Sequence, residues 1–271
     1  MFKRWQNEET SASPGSGSTN QRGTSVALAN VMPLRALQRH AVDSIKRHAL
    51  RLSLQSPRAQ AHVLTEYLWS EEGAETAALH RTRSASTPEW VDKLAANQLA
   101  DEQRHASLLR DRLIALGART DRQPPSLVKV KLWWLERVTR PYMTAFEQGP
   151  VVVLLAIAAQ LEGTGVRMFG RHLAVLEELA PSDPTTPVLQ SILSDEKRHA
   201  RSCATAVERL VRDDERVLLD ELRDKIADID RAFGVTISLA FWLVIAANAV
   251  RDREGGIAMP IRTLRAMGGA R

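Results

Sequence analysis

From Pro33 onward the apolar side chains recur at three- and four-residue spacing, and the two-residue alternation of extended strands is nearly absent. That pattern predicts an all-α chain. Breakers interrupt it at Ser56-Pro57, between Ser84 and Pro88, between Gly117 and Pro125, at Gly149-Pro150, between Pro181 and Pro187, and at Gly234. They bound four long helices at about 57–83, 88–117, 150–179 and 184–212, preceded by a leading helix near 34–55. Thr87 and Asp183 each stand before a proline, the order of a capping side chain and a first helical residue. Short turns inside each helix pair predict antiparallel neighbours. The stretch 118–149 is long enough to cross from one pair to the other, as in bundles with one long connection. Its amphipathic part, 127–146, carries Trp133, Trp134 and Phe146, which are expected to pack on the bundle.

The organisation expected is therefore a flexible tail over 1–30, poor in apolar residues and rich in Ser, Gly, Thr and Asn. A leading helix over 31–56, a helical bundle over 57–212 and terminal helices over 213–271 follow. Residues 233–250 run without a charge and are followed by Arg251 and Arg253. This segment is at the lower length limit for a spanning helix, and a buried helix or a contact in a homodimer is favoured over membrane association.

Composition narrows the chemistry. A 271-residue chain with 44% hydrophobic and 25% charged residues has enough apolar side chain for one large domain or two small ones. Its net charge of +5 is spread along the chain, which favours a solvated basic face over an acidic partner such as nucleic acid, a carrier protein or anionic lipid. Cys203 is the one cysteine, so neither an internal disulfide nor a four-cysteine iron–sulfur module is available. Electrons for any redox reaction must come from an external donor such as a ferredoxin. No apolar core of signal-peptide length follows the basic Lys3-Arg4 pair, and a cytoplasmic location is expected.

Against this background one pattern stands out. Asp101-Glu102-Gln103-Arg104-His105 recurs as Asp195-Glu196-Lys197-Arg198-His199, and these hold the only two Glu-x-x-His spacings in the chain. A given Glu would meet a His at that spacing about 1 time in 40 by chance, before the shared Asp and Arg are counted. Upstream of each motif a Glu-Gly pair interrupts an apolar helix, Glu72-Gly73 and Glu162-Gly163. The chain thus reads as an internal duplication. Positions three apart share a helix face, so each motif can turn a carboxylate and an imidazole into one interior. With one Glu from each of the other two helices, this makes a four-Glu, two-His set suited to two divalent ions, ferrous iron or manganese. Asp101 and Asp195 are placed to orient the imidazoles, and Arg104 and Arg198 to balance those carboxylates.

On these residues the segment 57–212 resembles the ferritin-like di-iron carboxylate superfamily, which includes rubrerythrins and ferritins. The Asp-Glu-x-Arg-His motifs are most similar to those of soluble acyl-carrier-protein desaturases and bacterial di-iron oxygenases. The resemblance implies a ferritin-like four-helix bundle with extra terminal helices. It implies two iron ions, with manganese at one position as a variant, held by Glu72, Glu102, His105, Glu162, Glu196 and His199, with Glu102 and Glu196 bridging. It also implies an O2-activating oxidoreductase that hydroxylates, desaturates or N-oxygenates a small or carrier-bound substrate. Two alternatives stand beside it: an iron- or peroxide-handling protein of the ferritin and rubrerythrin type, and a non-enzymatic binding protein. The chain is shorter than the desaturases and carries no recognisable acyl-pocket signature.

The remaining candidates read more simply. Glu71 is expected to face water, and Glu75 is a candidate extra ligand one turn past Glu72. Tyr67 is expected to have a packed ring with a wet hydroxyl, with a redox role as the alternative, and Cys203, four residues past His199, to be a buried small hydrophobe, with an approach to the metals as the alternative. His80 and His172 fall outside the duplication and are expected at the surface or at helix caps. Gly73, Gly163 and Gly165 weaken their helices, which predicts close packing or open space beside the ligands.

Overall fold

The computed structural model describes residues 22–84, 87–120 and 126–254, with side chains from residue 35 onward apart from those of 74–75, 84 and 126. Eight α-helices and two short 3-10 turns account for nearly all of these residues, and no strand occurs among them. The helices are α1 (Arg22–Ser53), α2 (Pro57–Glu72), α3 (Ala74–Ser84), α4 (Glu89–Ala115), α5 (Ser126–Thr139), α6 (Pro150–Leu179), α7 (Thr185–Leu210) and α8 (Arg216–Glu254). The described residues divide into two compact units, on either side of the step from His40 to Ala41. Within the second, α4 packs on α2, α3 and α7, α6 packs on α7 and α3, and α8 runs beside α2, α5 and α6.

Local chemistry sets most of these bounds. The Ser56 hydroxyl accepts from the Ala59 amide at 3.1 Å, with Pro57 in the first turn of α2. The same hydroxyl donates to Asp252 at 2.5 Å and ties the end of α8 to the start of α2. Asp183 accepts from the Thr185 amide at 2.7 Å and so caps α7. At α4 the N-cap residue is Pro88, without a side-chain cap bond, so Thr87 does not play the capping role expected of it. The leading helix begins at Arg22, inside the segment expected to be a flexible tail, and continues through Pro33. Residues 1–21 lie outside the described residues. α8 also continues through Gly234, which was expected to break it and instead lies against Val42.

Two apolar clusters fill the interior. One joins α5, α6, α7 and the first half of α8 through residues such as Phe146, Val152, Leu155, Val207 and Leu222. The other joins α1, α2, α4, α6 and α7 through Leu64, Leu68, Leu109, Phe169 and Leu189. α6 and α7 contribute to both, and between those contributions each carries polar residues: Glu162 in α6, and Asp195, Glu196 and His199 in α7. A polar belt is thereby enclosed between two dry layers. Each fully buried Leu or Phe contributes about 1.5–3 kcal/mol, so the two layers together can offset the burial of a few ionisable groups.

Four expectations need correction. Phe146 is buried, but Trp133 and Trp134 are 56% and 40% exposed and stack on each other at 5.4 Å, because α5 carries more apolar surface than its packed face covers. The segment 233–250 is not a buried helix, since Leu239, Leu243, Val244 and Val250 are exposed. By length and composition both the 213–254 stretch and α6 are apolar enough to cross a membrane, and α6 is the core helix of this fold. His172 is buried beside Tyr67, the ring centroids 5.6 Å apart, whereas His80 is exposed. Tyr67 was expected to keep a wet hydroxyl but is buried as a whole, meeting Phe169 edge-on at 4.9 Å.

Candidate metal centre

The duplicated motifs lie on α4 and α7, and these helices run in opposite directions. Gln98 meets Cys203, Asp101 meets Arg198 and His199, His105 meets Asp195, and Arg112 meets Thr185. Antiparallel packing of two copies of one motif gives the site an approximate two-fold axis. α2–α3 antiparallel to α4, and α6 antiparallel to α7, bring the remaining carboxylates to the same level.

Two overlapping groups of ligand-type atoms result, each within 4.8 Å: Glu71, Glu102, His105 and Glu196, and Glu102, Glu162, Glu196 and His199. All six residues are buried. Glu102 and Glu196 belong to both groups, and each group adds one Glu and one His of its own. His105 Nδ1 lies 3.1 Å from Glu71, 3.5 Å from Glu102 and 3.6 Å from Glu196. His199 Nδ1 lies 3.1 Å from Glu102 and 3.5 Å from Glu162.

Five of the six ligands expected from the sequence are therefore brought together, and the sixth is corrected by one position. Glu71 is 1% exposed and enters the first group, whereas the Glu72 side chain is 36% exposed and pairs with Arg110. The cause is helix phase. Leu64, Tyr67, Leu68 and Glu71 form one buried stripe on α2, and the helix stops at Gly73. A Cβ at Gly73 would sit 2.5 Å from the Trp69 carbonyl oxygen, so the break between α2 and α3 depends on this glycine. The Thr76 hydroxyl then donates to the Glu71 carbonyl oxygen across the break. Glu75, the candidate extra ligand, lies outside the described side chains.

Around the ligands the two aspartates work crosswise. Asp195 accepts from His105 Nε2 and Asp101 from His199 Nε2, both at 3.1 Å, so each motif orients the other motif's imidazole. Arg104 reaches Asp101 at 2.7 Å and Asp195 at 2.6 Å, and Arg198 reaches the same two carboxylates at 2.6 Å each. Burial pushes the Asp195 carboxyl up, but Arg104, His105 and Arg198 outweigh it and bring it down to about 2. Asp101 is likewise lowered, burial being overcome by Arg104, His199 and Arg198. Both aspartates are thus ionised acceptors, which fixes the proton on Nε2 and turns each Nδ1 lone pair toward the carboxylates.

The interior of the site is consequently a ring of acceptors. Neither oxygen of Glu102 receives an aligned hydrogen bond, although both imidazoles are near. Burial pushes His199 down, but Glu102 and Asp101 raise it overall, and Glu102 is held below the usual carboxylate range against its burial by His105 and His199. Four carboxylates facing two imidazole lone pairs match two divalent cations in charge and in oxygen–nitrogen chemistry, so these residues fit a dinuclear metal centre.

Gly165 makes room for this arrangement, since a Cβ there would overlap Glu196 Oε2 and touch Phe169. At Gly163 a Cβ would meet only Arg167 at 3.7 Å, an ordinary contact, so nothing in the packing requires that glycine. Gln98 is a residue that sequence reasoning did not connect to the site, and Cys203, expected chiefly as a small hydrophobe, is a hydrogen-bond donor beside it. Gln98 Nε2 donates to Glu162 Oε1, and the Cys203 thiol donates to Gln98 Oε1 at 3.3 Å. Their signal was present in the spacing: Gln98 stands one turn before Glu102 and Cys203 one turn after His199, both facing the interior.

Comparison with protein-family models, with curated proteins and with solved structures finds no match.

Proposed function

We propose that this chain is a ferritin-like di-iron carboxylate oxidoreductase that activates O2 to oxidise an organic substrate. In this reading α2–α3, α4, α6 and α7 are the four columns of the bundle, and α5 belongs to the crossover. The observation that carries the proposal is the pair of overlapping Glu-and-His groups that share Glu102 and Glu196. Glu71 and His105 would complete one metal position, and Glu162 and His199 the other. Two ferrous ions bound there would supply electrons for the reduction of O2.

The chain's own residues do the rest. Asp101 and Asp195 hold the Nε2 protons and keep both Nδ1 atoms available as ligands. Arg104 and Arg198 keep those aspartates ionised, so the imidazole orientation survives changes in the charge of the centre. The apolar layers above and below exclude water, which protects a reactive site from side reactions. The substrate in this reading is a small or carrier-bound molecule, and the reaction is its hydroxylation, desaturation or N-oxygenation.

The test is O2 consumption by the iron-loaded, chemically reduced chain in a sealed electrode cell, beside a Glu102→Ala variant. Rapid uptake of about one O2 per two irons in the parent, absent from the variant, is expected. No uptake by the reduced, loaded protein would sink the proposal. Continuous uptake with growth of a ferric mineral would replace it with iron handling.

A further inference from the structure

The two metal positions of the proposed centre are related by the approximate two-fold axis, and the ligands on α4 and α7 and the residues that orient them have identical opposite numbers. Asp101 answers to Asp195, Glu102 to Glu196, Arg104 to Arg198 and His105 to His199. The symmetry fails at two buried positions. One turn before Glu102 stands Gln98, and one turn before Glu196 stands Ile192. One turn after His199 stands Cys203, and one turn after His105 stands Leu109. All four are at most 3% exposed. One half of the site therefore has a polar pair where the other half has two aliphatic side chains.

That polar pair is wired to a single ligand. Cys203 donates to the Gln98 carbonyl oxygen at 3.3 Å, which fixes the amide so that its Nε2 donates to Glu162 Oε1. The other Glu162 oxygen, Oε2, is the one 3.5 Å from His199 Nδ1. Glu162 also sits mid-helix in α6, whereas its counterpart Glu71 occupies the last turn of α2 beside the break at Gly73. Orienting a ligand by an outer hydrogen bond is worth about 10–100-fold in metal affinity.

We infer that Gln98, anchored by Cys203, is a positioning residue for Glu162, and that it makes the two metal positions unequal: the Glu162–His199 position binds first and more tightly, and the Glu71–His105 position binds second and exchanges. This rests on the dinuclear reading above.

The experiment is a stepwise titration of the metal-free full chain with Co2+, followed by calorimetry and by visible absorption. The parent shows two phases whose dissociation constants differ by about tenfold or more. Glu162→Ala removes the tight phase and Glu71→Ala the weak one. Gln98→Leu weakens the tight phase by about tenfold and leaves the weak one in place, whereas Cys203→Ser, which keeps a donor, retains the parent pattern. If Gln98→Leu fails to fold by circular dichroism, Cys203→Val takes its place, with a smaller loss confined to the tight phase. Two ions binding with one constant in the parent, or equal weakening of both phases by Gln98→Leu, would overturn the inference while leaving the dinuclear site intact. No Co2+ binding by the parent would overturn the dinuclear reading itself.

Discussion

After ferrous loading and desalting, Glu71→Ala is expected to retain one iron per chain where the parent retains two, and Glu72→Ala to retain both. The neighbouring residues differ in everything except chemistry. Glu71 points into the group formed with His105, Glu102 and Glu196, and its loss leaves that position without its own carboxylate. Glu72 pairs with Arg110 at the surface, and exposed ion pairs of this kind contribute about 0–1 kcal/mol. Metal analysis of the two variants separates the alternatives. Retention of both irons by Glu71→Ala, with loss in Glu72→Ala, would mean that α2 enters the site in the other phase.

This pair of residues also marks where the sequence stopped being legible. Matching Glu72-Gly73 to Glu162-Gly163 assumes that both halves share one helical register through the glycine. They do not: α6 runs straight through Gly163, whereas α2 ends at Gly73, where a side chain would collide with the Trp69 carbonyl oxygen. The better guide was the apolar stripe Leu64, Tyr67, Leu68, which points to Glu71. The all-α class and the spans of α4, α6 and α7 were readable because prolines and glycines sit at their ends. The types of the outer residues Asp101, Asp195, Arg104 and Arg198 were readable as well. Their crosswise partnering was not, because it depends on α4 and α7 packing antiparallel. Nor was the asymmetry at Gln98 and Cys203, which emerges only when the two halves are superposed about their axis.

The second large effect concerns acid stability and is independent of the metals. His172 is 3% exposed on α6, its Nδ1 has no hydrogen-bond partner, and burial lowers it from 6.5 to about 4 against a small opposing effect of Asp183. The sign follows from proton binding. Between those two values the unfolded chain holds a proton on His172 and the folded chain does not, so acid favours unfolding. Above about pH 6.5 the residue has no pH-dependent effect, and as pH falls toward about 4 roughly 3 kcal/mol of stability is lost. His172→Leu removes this group and fills a similar volume among apolar neighbours. Urea unfolding of parent and variant at pH 7 and pH 4.5 isolates the contribution, since all other titrating groups are common to both. The stability gap between them is expected to shift by about 2–3 kcal/mol toward the variant in acid. Parallel pH profiles would show that His172 protonates within the fold. The position escaped sequence reading because a lone histidine carries no motif. Phe169, Leu173 and Leu176 surround it on one face of α6 and are the signal that places it inside.

The central claim is that the six buried residues hold two metal ions, and the most direct test is the iron content of the purified full chain. Protein loaded anaerobically with ferrous iron and freed of excess by gel filtration is measured by emission spectrometry against amino-acid analysis, beside a folded Glu102→Ala, Glu196→Ala variant. The account predicts two irons per chain in the parent and none in the variant, because both positions share those two carboxylates. No stoichiometric metal in the parent, or equal metal in both proteins, would contradict it.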